Sequence, residues 1–169
     1  SQLSLNPILL LRVKPNIEAH THEYIKTGQE SSKFGMTIDE AHQLIQKAQE
    51  KGITISGIHA HIGSQIFNMT PFMDLIEKLV LWIKQINDRH HITLNQLNVG
   101  GGAGVKYITQ DNPFPIQDYI QKMCQKVKNE CKKNNLVLPK LIIEPGRSVI
   151  ANAGLTLYTV GAIKKVSKT

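Results

Sequence analysis

The chain has 169 residues, 41% of them hydrophobic and 20% charged, which is enough to bury a core and fits one domain or part of a larger one. Its longest apolar run, Pro7-Ile8-Leu9-Leu10-Leu11, is far too short to span a bilayer, and no basic region feeds a hydrophobic segment and cleavage site, so neither a membrane nor export is expected. The net charge of +7 comes from 20 Lys+Arg against 13 Asp+Glu, but the lysines are scattered and lack interleaved aromatics, which argues against nucleic acid as a partner.

The first element is the apolar run from Ile8 to Val13, ended by Pro15, the pattern of a strand buried on both faces. From Lys14 to Gly35 no period emerges, and His20, His22, Glu23, Tyr24 and Lys26 give the stretch the character of a long functional loop. Thr37-Ile38-Asp39-Glu40 is a capping box that opens a helix with Ala41, Leu44, Ile45 and Ala48 on one apolar face, closed by Gly52. A second strand runs from Ile53 to Ile62 and places His59 and His61, two apart, on one side of the sheet.

Thr70 as cap and Pro71 as first residue open the next helix, with a broad stripe of Phe72, Leu75, Ile76, Leu79, Val80, Ile83 and Ile86. Leu94 to Val99 is the third strand. A helix from Ile116 to Asn134 follows, its inner face expected to carry Ile120, Cys124, Val127 and Cys131. The two cysteines, seven apart, lie about 10 Å from each other along that helix, too far for a disulfide, and read as reduced thiols of a cytoplasmic protein. Leu141-Ile142-Ile143 is the fourth strand, ending at Glu144-Pro145-Gly146-Arg147.

Between the third strand and the third helix stands Leu97-Asn98-Val99-Gly100-Gly101-Gly102-Ala103-Gly104. Consecutive glycines allow a backbone to approach a ligand closely, and strand, glycine loop and helix in that order suit an anion cradle. It is not the dinucleotide fingerprint, because no third spaced glycine follows Gly104.

Four strand-then-helix units predict parallel strands with crossover helices. Each strand ends in polar or glycine residues, where a (β/α) barrel or a doubly wound sheet places its active site. The preferred fold class is α/β, the C-terminal half of a (β/α)₈ barrel over residues 1–152. From 153 to 169 the β-rich Leu155-Thr156-Leu157-Tyr158-Thr159-Val160 and Ala162-Ile163-Lys164-Lys165-Val166 suggest the start of an all-β domain.

Taken together, His61-Ile62-Gly63-Ser64-Gln65-Ile66, the run from Leu97 to Gly102, Glu144-Pro145-Gly146-Arg147, Lys33-Phe34-Gly35 and His22-Glu23-Tyr24-Ile25 resemble the diaminopimelate decarboxylase branch of the pyridoxal-phosphate decarboxylases. The resemblance covers essentially the whole chain in order. It implies pyridoxal 5'-phosphate as cofactor, a basic amino acid as small-molecule substrate, and a homodimer in the full-length protein. Glu144 would pair with the pyridinium nitrogen and His61 would stack on the ring as the catalytic pair. Ser64 and the amides of Gly100, Gly101 and Gly102 would hold the phosphate, and Arg147 would bind either the phosphate or a substrate carboxylate. Lys33 resembles a family lysine that supports packing against a partner subunit, a plain solvated lysine being the other reading, and His59 either supports the site or simply fills space.

Ala103, where a larger apolar residue is usual, and Lys14, in place of a small polar one, depart from the pattern. The family's covalent lysine matches none of Lys14, Lys26 or Lys33, so the chain is expected to be an internal piece of the enzyme, inactive alone. Three other readings stand beside this one: a zinc site on His59-Ala60-His61 as in amidohydrolase barrels, a non-catalytic homologue, and a sister decarboxylase for ornithine or arginine.

Overall fold

In the computed structural model of the chain, residues 7–17 and 33–164 are described. The elements alternate: β1 (Leu9–Arg12), α1 (Ile38–Glu50), β2 (Ile55–His59), α2 (Thr70–His90), β3 (Gln96–Asn98), α3 (Ile116–Lys133) and β4 (Lys140–Ile142). A short helix, α4 (Gly146–Ile150), and a 3₁₀ turn, Ala151–Ala153, follow. All neighbouring strands are parallel, in the order β1-β2-β3-β4. A doubly wound sheet reverses direction at a switch point, whereas strands added always on the same side are successive units of a barrel. The expected half-barrel arrangement is therefore the one observed. The residues expected to form the functional loop, His20, His22, Glu23, Tyr24 and Lys26, lie outside the described residues.

The core sits between the sheet and its crossover helices. Ile58, Leu97, Phe72, Leu75, Ile76 and Leu79 are fully buried in one cluster, and α2 packs against both α1 and α3. Local signals explain the helix starts. At α1 the Glu40 amide donates to Thr37 Oγ1 at 3.2 Å and the Thr37 amide donates to Glu40 Oε2 at 2.7 Å, the reciprocal bonds of a capping box. Gly52, with φ +66°, ends the helix as expected.

Some details depart from the sequence reading. Thr70 is the first residue of α2 rather than its cap, and its amide donates to Asn68 Oδ1 at 2.9 Å, so Asn68 supplies the side-chain acceptor. On α3 the inward face holds Tyr119, Met123, Val127 and Cys131, whereas Ile120 and Cys124 are exposed. The reason is aromatic. Phe72 meets Tyr119 edge-on at 5.1 Å and Phe114 edge-on at 6.2 Å, and Phe114 stacks on Tyr119 at 5.5 Å, contacts an isoleucine cannot make. Burial pushes the Tyr119 phenol up to about 12. The two strands expected between Leu155 and Val166 do not form among the described residues, which extend to Lys164; Leu155, Leu157 and Tyr158 are almost wholly exposed there. A ladder requires a partner strand, and none pairs with this stretch among the described residues. Among the described residues no helix is long and apolar enough to cross a membrane.

On α1, Leu44 is exposed and His42 takes the buried position. His42 Nδ1 lies 2.8 Å from His90 Nε2 at the end of α2, with the rings stacked at 5.1 Å. Burial, reinforced by Arg89, lowers the pKa of His42, against the opposing pull of Asp39. His90 is lowered by burial and then by His42, Arg89 and His91. A histidine held below its unfolded value contributes stability that is fully present above about pH 6.5 and declines as the pH falls through that value, because the unfolded chain then binds more protons. The urea midpoint of the protein should accordingly drop between pH 7.5 and 5.5, and His42→Gln with His90→Gln should make that drop shallower. An unchanged slope in the double variant would remove the pair from the account.

Candidate active site

A cleft of about 140 Å³ opens at the carboxyl ends of β2, β3 and β4. His61, Ser64, Gly100, Gly101, Gly102, Glu144 and Arg147 all line it, together with Tyr119 and the apolar Ile116 and Ile143. The motifs that supply these residues are far apart in sequence, and the parallel register brings them together: His59 pairs with Asn98, and Asn98 with Ile142.

The glycine triplet makes this convergence sterically possible. A Cβ on Gly101 would stand 2.1 Å from the Glu144 carbonyl oxygen, one on Gly102 2.3 Å from the Gly63 oxygen, and one on Gly100 2.6 Å from the Ala60 oxygen. Gly100 and Gly102 also take φ of +68° and +113°, which only glycine adopts without strain. The Glu144 amide donates to the Gly100 carbonyl at 2.8 Å, extending the β3–β4 ladder into the loops.

The loop after β2 is laced to the loop after β3. The Ile66 amide donates to the Gly102 carbonyl at 2.9 Å and the Gly104 amide to the Ile66 carbonyl at 3.0 Å. Gln65, with φ +56°, uses both ends of its side-chain amide on Val105: Nε2 donates to the carbonyl at 3.1 Å, and Oε1 accepts from the amide at 2.9 Å. The glutamine of the His61–Ile66 motif is thus a loop clasp.

The amides of the triplet differ in availability. Gly100 N–H donates to Asn98 Oδ1 at 2.9 Å and Gly101 N–H to His61 Nδ1 at 3.2 Å, while Gly102 N–H has no acceptor among the described residues. Because His61 Nδ1 accepts, the ring's proton sits on Nε2. Burial, followed by the Arg12 charge, lowers the His61 pKa against the opposing pull of Glu144, so the imidazole is neutral at pH 7. Arg147 Nε donates to Ser64 Oγ at 2.7 Å, and its Nη1 donates to the Tyr107 hydroxyl at 3.1 Å. Glu144 Oε1 accepts from Asn98 Nδ2 at 3.0 Å.

Sequence reasoning missed Asn98 and Tyr107. Both had a signal, since Asn98 ends a strand directly before the triplet and Tyr107 follows it within the same loop. His59 stands behind the cleft, its buried Nε2 3.5 Å from Glu144 Oε1 without hydrogen-bond geometry. Among the described residues no three His, Cys, Asp or Glu side chains are grouped to hold a metal ion, so His59 and His61 lack a third ligand there. Lys33 lies with Arg12 against the Phe34 ring. The stretch from His22 to Ile25 lies outside the described residues.

A parallel sheet with glycine cradle, carboxylate and guanidinium at its carboxyl end defines a cofactor- and anion-binding barrel domain. Residues 1–151 match the family described as pyridoxal-dependent decarboxylase, pyridoxal binding domain, and the chain belongs to that family. It is 43% identical over 161 residues to a diaminopimelate decarboxylase of Staphylococcus aureus and 42% identical over 161 residues to that of Halalkalibacterium halodurans, each match covering 94% of this chain and 37% of the relative. Among solved structures, diaminopimelate decarboxylase from Helicobacter pylori complexed with L-lysine is similar with a TM-score of 0.75 at 30% identity, over 89% of this chain and 36% of that one. The chain thus spans little more than a third of the length of these proteins.

The close approach at the triplet makes Gly101 and Gly146 a matched test. Gly101→Ala forces a methyl group onto the Glu144 carbonyl and should cost about 1–3 kcal/mol in chemical denaturation. Gly146→Ala, whose Cβ would meet nothing within 4 Å, should be close to neutral. Equal effects of the two would show that the strand ends are not held in contact.

Proposed function

We propose that this chain is the cofactor-holding half-barrel of an enzyme that decarboxylates meso-2,6-diaminopimelate to L-lysine and CO₂. One observation carries the reading: the phosphate donors, the neutral imidazole and the carboxylate that such a cofactor needs share one cleft. The names of the relatives support this substrate over ornithine or arginine. The expected homodimer, the cytoplasmic location and an all-β domain beginning at residue 153 belong to the same proposal.

The donor set fits pyridoxal phosphate. Bound there, the cofactor supplies an electron sink for the carbanion left when CO₂ departs, provided its ring nitrogen stays protonated. Glu144 holds that proton by pairing its carboxylate with the nitrogen. His61 offers the ring an uncharged face, since an imidazolium would oppose the cationic ring. The phosphate is held by Ser64, the open Gly102 amide and Arg147. The bond from Arg147 Nε to Ser64 supports the phosphate end over a substrate carboxylate as the place of this guanidinium. Gly100 and Gly101 serve the same site by letting the strand ends meet, with their amides engaged by Asn98 and His61.

The purified full-length protein should show cofactor absorbance with pyridoxal phosphate and release CO₂ from diaminopimelate; failure of both would end this reading. Glu144→Gln should cut turnover by about a hundredfold or more while the cofactor still binds. On this reading the covalent lysine belongs to a part of the enzyme outside this stretch. Borohydride reduction of the full-length holoenzyme should therefore leave no pyridoxyl group on Lys14, Lys26 or Lys33, and mass spectrometry finding one there would contradict the assignment.

A further inference from the structure

We infer that Asn98 is a positioning residue that ties down Oε1 of Glu144 and thereby presents Oε2 to the ring nitrogen of the cofactor. The inference rests on the role proposed above for Glu144 and adds the group that aims it. The Glu144 side chain is 51% exposed, and a glutamate that open samples several rotamers unless something holds it. Asn98 Nδ2 donates to Oε1 at 3.0 Å, and His59 Nε2 stands 3.5 Å from the same oxygen. Oε2 has no partner among the described residues. One carboxylate oxygen is therefore committed to the protein and the other is left for a ligand.

Asn98 suits this task because both ends of its amide are used and its backbone is fixed. Its Oδ1 accepts from the Gly100 amide at 2.9 Å, which orients the amide so that Nδ2 faces Glu144. Its carbonyl accepts from the Ala60 amide at 3.0 Å, and the parallel register holds it between His59 and Ile142. The side chain thus connects the loop at the phosphate end to the carboxylate at the ring end. An aspartate here could still accept from Gly100 but would have no proton for Glu144, and two carboxylates would face each other.

The test uses the full-length apoenzyme and two ligands, pyridoxal phosphate and its analogue with C–H in place of the ring nitrogen. Dissociation constants are measured by absorbance or fluorescence titration, and the readout is the preference for the natural cofactor over the analogue. General damage to the fold weakens both ligands alike and leaves that ratio unmoved. Asn98→Asp should lower the preference by about tenfold, with the analogue's own affinity little changed. Asn98→Ser, which removes both amide contacts, should lower the preference similarly and serves if the aspartate variant does not fold. Glu144→Gln is the reference for the underlying reading. If it abolishes the preference while both Asn98 variants retain it, the inference is overturned and the role of Glu144 stands. If Glu144→Gln leaves the preference intact, the role of Glu144 fails and the inference with it.

Discussion

The contact on which the rest of the site depends is the meeting of three strand ends at Gly100, Gly101 and Gly102. Each of these residues has a carbonyl oxygen from a neighbouring segment where a Cβ would have to stand, at 2.6, 2.1 and 2.3 Å respectively. A barrel strand normally keeps its neighbours about 4.8 Å away, with side chains filling the space at the ends. Removing those side chains lets the loops after β2 and β4 close on the loop after β3, and the cleft is what that closure encloses.

Most backbone hydrogen bonds at this point hold the scaffold together. Ile66, Gly104, Val105 and Glu144 use their amides to hold loop to loop, with Gln65 acting as a clasp. Such loops would otherwise carry unsatisfied polar groups, which are costly when shielded from water. Once these bonds are made, few donors remain. The Gly102 amide, the Ser64 hydroxyl and the unused part of the Arg147 guanidinium are left on one side, and Glu144 Oε2 on another. A small dianion attached to a protonated heterocycle matches that residue of unsatisfied groups.

Charge is arranged to agree with this. Burial above all, with Arg12 adding to it, holds His59 and His61 below the usual histidine range against the opposing pull of Glu144. A neutral histidine beside the carboxylate leaves its negative charge uncompensated by the protein, so that charge is available to a cationic ring. The Arg147 guanidinium is engaged by Ser64 and Tyr107, which fixes the cationic donor beside the proposed phosphate site.

The alternation of buried strand and amphipathic helix was legible in the sequence because it is a local property: the period of apolar residues and the capping box at Thr37–Glu40 need no distant partner. The residues that gather at the strand ends, Gly100–Gly102, Glu144 and Arg147, were legible for the same reason, since each group directly follows an apolar run, and they do line one cleft. Local pattern misjudged what depends on a neighbour. The inner face of α3 was set by two phenylalanine partners of Tyr119. Which glycine amides remain open, and the bond from Asn98 to Glu144 across 46 residues of chain, were decided by the tertiary structure alone. A hydrogen bond depends on where the partner's atom comes to rest, and sequence spacing carries that information only within a helix turn or a strand.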